Sequence, residues 1–309
     1  MSSMMSVVRR MTPRPVKRAA RRVIRVGANS WIRGRAWILG VPTSAEAYDR
    51  FTLKLAMEFD CRLPLTARLG NGMTIKIAFK DYVSKHILAS GYYEPETVAL
   101  LHQFLKPGMV VFDVGAHVGQ YSLVASRIVG QGGAVHSFEP DPETFAWLRG
   151  NCRSNKLGNV TLNQIALSDA AEIKTFYFAT SGDIGSNSLA EPKNFSGRKA
   201  QVPCIQFDTY LQKRGITRVH LVKMDVEGAE LGVLRGGESL FSGRNRPIMI
   251  LEFEEARQLA FGSSCRALGA WLVEHGYELF RIGATLEPYT PSDGDPPSLN
   301  VLALPAETR

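Results

Sequence analysis

Through the middle of the chain, short runs of apolar residues alternate with stretches in which apolar residues recur every three or four positions. An apolar run at 109–112 ends at Asp113, a glycine turn follows, and residues 121, 124, 125 and 128 then share one helical face. A second apolar run at 134–138 ends at Glu139. Short apolar runs are typical of buried strands, and the spacing between these two runs predicts a helix. The pattern therefore predicts a strand–turn–helix–strand unit of a parallel sheet.

The same alternation continues towards the C-terminus. It predicts helices at 142–155, from near 229 and at 265–275, strands at 160–165, 174–179, 219–224 and 247–251, and a final antiparallel pair at 277–282 and 300–304. Strands that alternate with helices indicate an α/β fold with a mostly parallel sheet and helices on both faces. Residues 180–200 are rich in Gly, Ser and Asn and lack a clear period. They are predicted to form a long loop, either a lid over a ligand or a plain insertion.

The patterns divide the chain into three regions. Residues 1–45 are predicted to be a basic, partly helical or disordered segment, 46–105 a lead-in with a hairpin and two helices, and 106–309 the α/β domain. Residues 1–45 hold ten Lys or Arg and no acid, so the other 264 residues hold 27 basic and 29 acidic residues. The net charge of +8 is therefore local, and the main body is not expected to bind nucleic acid.

The basic N-terminal segment has three open interpretations. Residues 16–26 place valines and alanines on one helical face and Lys and Arg on the other, with Trp31 and Trp37 nearby. A basic amphipathic helix with tryptophans can lie on an anionic membrane surface. An Arg-rich, acid-free N-terminus is also typical of an organelle targeting segment, and a solvated tail is the third interpretation. We expect a cytoplasmic protein whose basic segment can contact the inner face of a membrane.

The overall composition is that of an ordinary soluble protein, with 45% hydrophobic and 21% charged residues. No apolar run approaches the ~20 residues that a membrane-spanning helix needs. The four cysteines are far apart and form no C-x-x-C pair, which fits a reducing compartment and argues against a zinc site.

The turn after the first predicted strand is suited to a nucleoside cofactor. Its pattern is Asp113-x-Gly115-x-x-x-Gly119, and the glycines allow the backbone to approach a ligand closely. Glu139, 24 residues after Gly115, can accept hydrogen bonds from both hydroxyls of a ribose. A nicotinamide dinucleotide site has the pattern G-x-G-x-x-G and would place its pyrophosphate beside Asp113. S-adenosylmethionine carries no phosphate, and its ammonium and sulfonium are attracted by acids, so the sequence favours it.

Four of the predicted strands end in an acid: Asp113, Glu139, Asp225 and Glu252. The carboxyl ends of parallel strands meet at one edge of the sheet, where ligands bind. We therefore expect an acidic crevice, which suits a cationic cofactor and can supply a general base.

Five segments resemble the FkbM-type family of S-adenosylmethionine-dependent methyltransferases. They are GYYEPE (91–96), FDVGAHVGQYS (112–122), FEPDPE (138–143), ALSD (166–169) and KMDVEGAE (223–230), and the resemblance covers about residues 70–280. It implies a seven-stranded, Rossmann-like class I methyltransferase fold and methylation of hydroxyls, commonly on sugars or polyketides. The cofactor-binding residues that it implies are Asp113, Gly115, Gly119, Glu139, Ala166, Asp169 and Asp225. His117 stands where the family usually has Asn, so one loop contact to the cofactor can differ.

Methyl transfer from sulfur to a hydroxyl oxygen needs alignment, exclusion of water and a proton acceptor. Asp225 and Glu227, in the turn after a predicted strand, are the first candidates for this base, and Glu252 is the third. Glu230 is better explained by its favourable interaction with the N-terminus of the following helix. No metal site is predicted, although Asp225 and Glu252 could together hold a Mg²⁺.

The sequence therefore predicts a methyltransferase that uses S-adenosylmethionine to methylate a hydroxyl of a sugar, glycolipid or other small-molecule natural product. One alternative is a dinucleotide-dependent oxidoreductase, which the position of Asp113 disfavours. Nucleic-acid methylation is disfavoured because the chain lacks an Asn/Asp-Pro-Pro-aromatic strand end and a basic body. A non-catalytic binding protein with a cofactor fold would leave the acidic crevice without a role.

Overall fold

A computed structural model of the protein describes residues 65–77, 81–179, 187–191, 195–292 and 298–306. The basic segment at 1–45 and the start of the lead-in lie outside the described residues, so the membrane contact and the division into three regions stay predictions. Within the described ranges, no helix is both long and apolar enough to cross a membrane.

The described elements follow one another in the order that the apolar pattern predicts, with the additions of the short strand at 166–168 and of elements after residue 194. The first part of the chain contains β1 (Leu65–Arg68), β2 (Thr74–Ile77), α1 (Tyr82–Ser90), α2 (Pro95–Phe104), β3 (Val110–Val114), α3 (Gln120–Val129), β4 (Ala134–Phe138), α4 (Pro142–Ser154), β5 (Val160–Asn163), β6 (Ala166–Ser168) and β7 (Glu172–Ala179). The second part contains β8 (Phe195–Gln206), α5 (Phe207–Arg214), β9 (Leu221–Met224), α6 (Glu230–Gly236), α7 (Glu238–Ser242), β10 (Ile248–Glu254), α8 (Glu255–Ala260), α9 (Cys265–Glu274), β11 (Tyr277–Arg281), β12 (Glu287–Pro288) and β13 (Ser298–Pro305).

The largest sheet has eight strands in the order β12-β11-β13-β10-β9-β3-β4-β5. The strands from β10 to β5 are parallel, and β13 pairs antiparallel with both β10 and β11. The chain enters at β3, moves outward to β5 and then returns to β9 on the other side of β3. This reversal opens a crevice at the carboxyl ends of β3 and β9. The predicted α/β class I methyltransferase fold is confirmed, with the two-residue β12 added beyond the predicted seven strands.

Helices cover both faces of this sheet, because side chains alternate along each strand. On β10, Ile250 faces a core shared with α2, α3 and α4, whereas Met249 and Leu251 face a second core shared with α5, α6, α7 and α9. All three side chains are fully buried. Burial on both sides explains why the parallel strands read as continuous apolar runs.

The hairpin of β1 and β2 packs against α4 through two asparagines. Asn151 accepts a hydrogen bond from the Lys76 backbone N–H at 2.7 Å and donates to its carbonyl at 3.0 Å. Asn155 makes the same pair of bonds with Thr74, at 3.0 and 2.6 Å. The apolar hairpin residues Ile75 and Ile77 are buried in the core that α4 also lines. The predicted hairpin is confirmed, and it is packed into the same core as the sheet.

The described residues also form a second sheet of three strands, in the order β6-β8-β7. The prediction of a loop throughout 180–200 was wrong for residues 195–200, which begin the twelve-residue strand β8. Most side chains in the first half of β8 are exposed, so this part of the sequence has no apolar run that would predict a strand. The strand forms because its backbone pairs with that of β7. The helix α5 that follows was also missed.

Candidate functional site

The glycine turn between β3 and α3 brings three loops together. Gly115 has φ +81°, and a Cβ atom on it would overlap the carbonyl oxygen of Asp225. The Gly115 N–H also donates to the carbonyl of Phe138, the last residue of β4, at 3.0 Å. Gly119 has φ +97°, and its Cβ would lie 2.6 Å from the side chain of Leu148. The close approach that the structure shows at both glycines is to the protein's own backbone and core, and their approach to a cofactor stays a prediction.

A cavity of about 420 Å³ lies beside this turn, at the carboxyl ends of the parallel strands. The predicted site residues on its wall are Gly115, Glu139, Ala166, Asp225, Glu227 and Glu252. Three further predicted residues, Asp113, Gly119 and Asp169, are not on the wall. The predicted convergence of strand ends thus places most, but not all, of the expected residues around one space.

Asp113 lies beneath the turn, in the core of the protein. Its side chain is 2% exposed and accepts a hydrogen bond of 2.5 Å from the hydroxyl of Ser122, which also bonds Ser137 at 2.6 Å. Burial raises the pKa of Asp113 to about 6, although Ser122 and the Lys223 ammonium lower it. In this structure Asp113 supports the turn from below, and direct contact of its carboxylate with the cofactor stays a prediction.

Asp169 lies at the end of β6, away from the cavity wall. Its carboxylate is 3.6 Å from the ammonium of Lys174, and half of the side chain is exposed. The neighbouring Ala166 does line the cavity. The structure therefore brings the first two residues of the ALSD segment, Ala166 and Leu167, to the cavity wall, but not Asp169.

Glu139 occupies the other side of the turn. Its Oε2 accepts a hydrogen bond from the His117 backbone N–H at 2.9 Å, and its Oε1 accepts one from the Asp141 N–H at 3.0 Å. Burial raises the pKa of Glu139 to about 7, and the nearby His117 opposes this rise. Each carboxylate oxygen can accept a second bond, so the ribose-binding role predicted for Glu139 is geometrically open.

His117 links the turn to the start of α1. Its backbone has φ +51°, and its Nε2 lies 3.5 Å from the Oδ1 of Asp81, a fully buried residue whose Oδ2 caps α1 by accepting from the Ser84 N–H at 2.8 Å. Burial alone would lower the pKa of His117, but Asp81, Glu139 and other acids raise it to about 9. A pKa of about 9 favours the positively charged form of His117 at neutral pH, at a position where the resemblance to the family implies Asn.

Three carboxylates form an acid group on the β9–β10 side of the cavity. Oxygens of Asp225, Glu227 and Glu252 all lie within 4.8 Å of one another. Lys223, 2% exposed, places its Nζ 3.0 Å from Asp225 Oδ2, and Arg257 Nε lies 2.9 Å from Glu227 Oε2. The sequence predicted the three acids together, but it missed Arg257.

The three acids differ in their pKa values. Burial alone would raise the pKa of Asp225, but the Lys223 ammonium and hydrogen bonding with Glu252 and Lys223 hold it below its usual range. Burial, followed by the charge of Asp225, raises the pKa values of Glu227 and Glu252 well above theirs. Asp225 is therefore the most acidic member of the group, and its charged form is the most favoured at neutral pH.

The acid group could also hold a cation such as Mg²⁺, which prefers oxygen ligands. Lys223 and Arg257 already pair with two of the three carboxylates, and their positive charges weaken the attraction for a metal. The expectation that the protein has no metal site stays a prediction.

Glu230 has a structural role in the described residues, as the sequence indicated. It is the first residue of α6, and its Oε1 accepts a hydrogen bond from the Val226 N–H at 2.9 Å. Its other oxygen accepts one from the Gln258 amide. These bonds hold the loop that carries Asp225 and Glu227 against α8.

Several residues line the cavity from outside the strand ends, and sequence reasoning named none of them as site residues, although it allowed the 180–200 loop to be a lid over a ligand. Tyr82 begins α1, Tyr93 belongs to the GYYEPE segment, and Asn187 and Ser188 come from the connection between β7 and β8. Asn187 donates to Asp141 at 3.1 Å, and Ser188 donates to the Glu227 carbonyl at 3.3 Å. The connection thus touches both sides of the cavity. The tyrosines of GYYEPE were a signal that could have been used.

The fold and the position of this cavity define a class I methyltransferase-type protein. Residues 113–279, more than half of the chain, match the model of the methyltransferase FkbM domain. The chain belongs to this family.

Several curated proteins are similar to this chain. The 31-O-demethyl-FK506 methyltransferase FkbM of Streptomyces tacrolimicus is 30% identical over 60% of this chain and 80% of its own length. The 2-O-methyltransferase NoeI of Sinorhizobium fredii is 28% identical over 48% of this chain and 68% of its own. The hexuronic acid methyltransferase AglP of Haloferax volcanii is 26% identical over 46% of this chain and 56% of its own.

Solved structures are more distant. That of a SAM-dependent methyltransferase from Aquifex aeolicus has a TM-score of 0.37 and 18% sequence identity, and the alignment covers 68% of this chain and 89% of that chain. The fold assignment rests on the strand order described above.

Proposed function

We propose that this methyltransferase uses S-adenosylmethionine to methylate a hydroxyl group of a sugar, glycolipid or other small-molecule natural product. The observation that carries the proposal is a single cavity with Glu139 on one side of the Gly115 turn and ionised Asp225 on the other. The names of two relatives, a 31-O-demethyl-FK506 methyltransferase and a 2-O-methyltransferase, support transfer to oxygen.

The residues present fit S-adenosylmethionine. Glu139 is buried and retains acceptor capacity for ribose hydroxyls, and Gly115 keeps the wall beside it free of a side chain. Asp225 places a negative charge on the cavity wall, which attracts an ammonium and a sulfonium, and Glu227 and Glu252 beside it supply further oxygen atoms for hydrogen bonds. A dinucleotide would bring two phosphates into the same acidic space, so the oxidoreductase alternative has no supporting observation.

When bound, the cofactor supplies a methyl group on a positively charged sulfur. The chain aligns the acceptor hydroxyl with that methyl group, excludes water and accepts the hydroxyl proton. We assign proton acceptance to a carboxylate oxygen of Asp225, since it is the ionised member of the acid group. Glu252 and Glu227 hold their protons more tightly and are better suited to hydrogen-bonding the acceptor.

Lys223 is the residue that keeps Asp225 ionised. It lies two residues before Asp225, is almost completely buried, and has the aromatic ring of Tyr121 5.1 Å from its Nζ. A lysine is rarely buried unless its charge is paired, and here the pair is with Asp225 at 3.0 Å. Lys223 is therefore a positioning residue that acts through Asp225.

Replacing Lys223 by methionine should shift the acidic limb of the pH profile of kcat/KM upward by about 1–3 units. Lys223 lowers the pKa of Asp225, so removing its charge raises that pKa, and the ionised form is then lost at a higher pH. Lys223→Arg keeps the charge and should keep the wild-type midpoint, and Lys213→Met, on the exposed last turn of α5, is the surface control. A uniform loss of rate with an unchanged midpoint would show that Lys223 acts only on stability.

Replacing Glu139 by alanine should weaken the binding of S-adenosylhomocysteine by about 1–3 kcal/mol, the cost of lost charge-assisted hydrogen bonds. Isothermal titration calorimetry measures this change directly. Glu139→Gln keeps the size and part of the acceptor capacity, so its loss should be smaller. Affinity that is unchanged in the alanine variant would contradict the ribose-binding role.

The proposed function is tested by calorimetry with S-adenosylhomocysteine and by transfer of a labelled methyl group from S-adenosylmethionine to a panel of sugars and polyketide alcohols. Binding together with transfer supports the proposal. Tight binding without transfer to any acceptor would favour the non-catalytic alternative. Absence of binding would rule out both and leave the acidic cavity unexplained.

A further inference from the structure

Three aromatic rings meet at the edge of the cavity. Tyr82 and His86, four residues apart on α1, have ring centroids 4.6 Å apart, and the ring of Tyr93 lies 6.1 Å from Tyr82 and 5.8 Å from His86. All three pairs have the edge-to-face geometry that aromatic rings prefer. The rings therefore hold one another in fixed orientations.

The exposure of Tyr82 is unusual for a ring in such a cluster. Among the described residues the exposed large apolar side chains are Tyr82, Ile173, Leu259, Val273 and Leu286, and of these Tyr82 alone lines the cavity. It is 48% exposed. A large ring left half in water at the entrance of a cavity is suited to contact with a bound molecule.

The backbone that carries Tyr82 and Tyr93 is held by contacts with His117 and Gln120, which lie in and just after the glycine turn. Asp81 caps α1 immediately before Tyr82 and is 3.5 Å from His117 in the glycine turn. The side-chain amide of Gln120 bonds both the N–H and the carbonyl of Tyr93, at 2.7 and 2.9 Å. The aromatic cluster is thus held at a set distance from Gly115 and Glu139.

Tyr93 also joins the aromatic cluster to the acid group. Burial raises the pKa of the Tyr93 phenol, and the charges of Glu94, Asp225 and Glu252 raise it further. Tyr93 and Tyr82 both line the same cavity as Asp225 and Glu252. One part of the cavity wall is therefore aromatic, formed by Tyr82 and Tyr93, and another part carries the carboxylates of Asp225 and Glu252.

A sugar ring is complementary to a cavity wall that is aromatic in one part and acidic in another. One face of a pyranose presents C–H bonds, which pack on an aromatic ring, and its rim presents hydroxyls, which donate to carboxylates. We propose that Tyr82 and Tyr93 form the acceptor platform of this enzyme and that the platform takes the C–H face of an uncharged sugar ring, with a hydroxyl directed to Asp225. The proposal rests on the proposed function, because it assigns the acceptor of the same site.

The surrounding charges select among sugars. Asp225 is the acid on the wall whose charged form is most favoured, and the cation His117, also on the wall, lies 3.5 Å from the buried Asp81, so a uronate placed against Asp225 would be repelled. Arg257, the arginine on the wall, has its Nε committed to Glu227 at 2.9 Å and to Glu254 at 3.5 Å. An amino sugar would be attracted by the acids and by the π-faces, and it is therefore the main competing acceptor.

Saturation-transfer NMR on the full chain loaded with S-adenosylhomocysteine tests the platform. The probes are methyl α-D-glucopyranoside, the corresponding glucuronide and glucosaminide, and cyclohexanol. We expect saturation transfer to the ring C–H protons of the neutral glucoside. Tyr82→Ala should weaken this binding by about tenfold, whereas Tyr82→Phe should keep it, because the ring and not the hydroxyl makes the contact. Leu259→Ala is the control, since Leu259 is as exposed but lies off the cavity wall.

Each other outcome overturns the platform. Equal signals in wild-type protein and Tyr82→Ala would show that Tyr82 does not hold the sugar. Signals from the glucosaminide alone would show a cation site, and signals from cyclohexanol alone a purely apolar one. No signal from any probe would also reject the sugar assignment. Calorimetry with S-adenosylhomocysteine on the same samples tests the proposed function separately, and it also shows that Tyr82→Ala is folded.

Discussion

Replacing Asp225 by asparagine is expected to lower the rate of methyl transfer by about a hundredfold or more. Asparagine has the size of aspartate, and its carbonyl oxygen can still accept the hydrogen bond from Lys223, which is 3.0 Å long in the wild-type chain. It cannot accept a proton at neutral pH. The fold and most of the affinity for S-adenosylhomocysteine should therefore remain while turnover is lost, and steady-state kinetics together with calorimetry separate the two.

Matched variants decide which acid accepts the proton. Glu227→Gln and Glu252→Gln remove groups whose pKa values are raised, so each should cost less than Asp225→Asn. Glu238→Gln, on the exposed start of α7, makes the same chemical change away from the cavity and should leave turnover unchanged. If Asp225→Asn keeps full turnover and Glu252→Gln does not, the role belongs to Glu252.

Gly115→Ala is expected to lower the free energy of unfolding by about 3 kcal/mol or more. Two causes act together at this position. The backbone has φ +81°, which an alanine adopts only with strain, and the new Cβ would overlap the Asp225 carbonyl oxygen. The turn after β3 and the turn after β9 would have to separate, so binding of S-adenosylhomocysteine should be lost as well.

Gly72→Ala separates the two causes. Gly72 has φ +85°, close to that of Gly115, but a Cβ atom on it would meet nothing within 4 Å. We expect this variant to lose only about 1–2 kcal/mol, the cost of the left-handed backbone. Denaturant unfolding measures both variants. Equal losses would mean that the contact with Asp225 relaxes without cost.

The apolar pattern was sufficient for the elements that are buried on both faces. Residues 134–138 form a strand with the predicted bounds, and the predicted final antiparallel pair is β11 and β13. Helices cover both faces of the sheet, so the strands between them must be apolar. Burial of these side chains therefore both stabilises the fold and produces the apolar pattern in the sequence. The carboxyl ends of such strands necessarily converge, which is why Glu139 and Asp225 were predicted to share one site.

What the sequence could not show depends on contacts between distant segments. Asp113 was expected in the crevice because it was predicted to follow its strand, but it lies within β3 and faces Ser122. A shift of one residue along a strand moves a side chain to the other face. Tyr82 lines the cavity beside the contact between Asp81 and His117, and no local pattern predicts a contact between residues 36 positions apart.

The asparagines of α4 have a consequence for where this chain can be divided. The match to the family begins at 113 and ends at 279. Asn151 and Asn155, within the match, hydrogen-bond the backbone of β2, at 74–77, which lies outside it. At the other end, β13 is inserted between β10 and β11, with Val301 and Leu302 fully buried. A fragment cut to the matched residues would expose both surfaces. The segment that matches the family model is therefore shorter than the length that can fold, and trimming must keep residues 65–77 and 298–305.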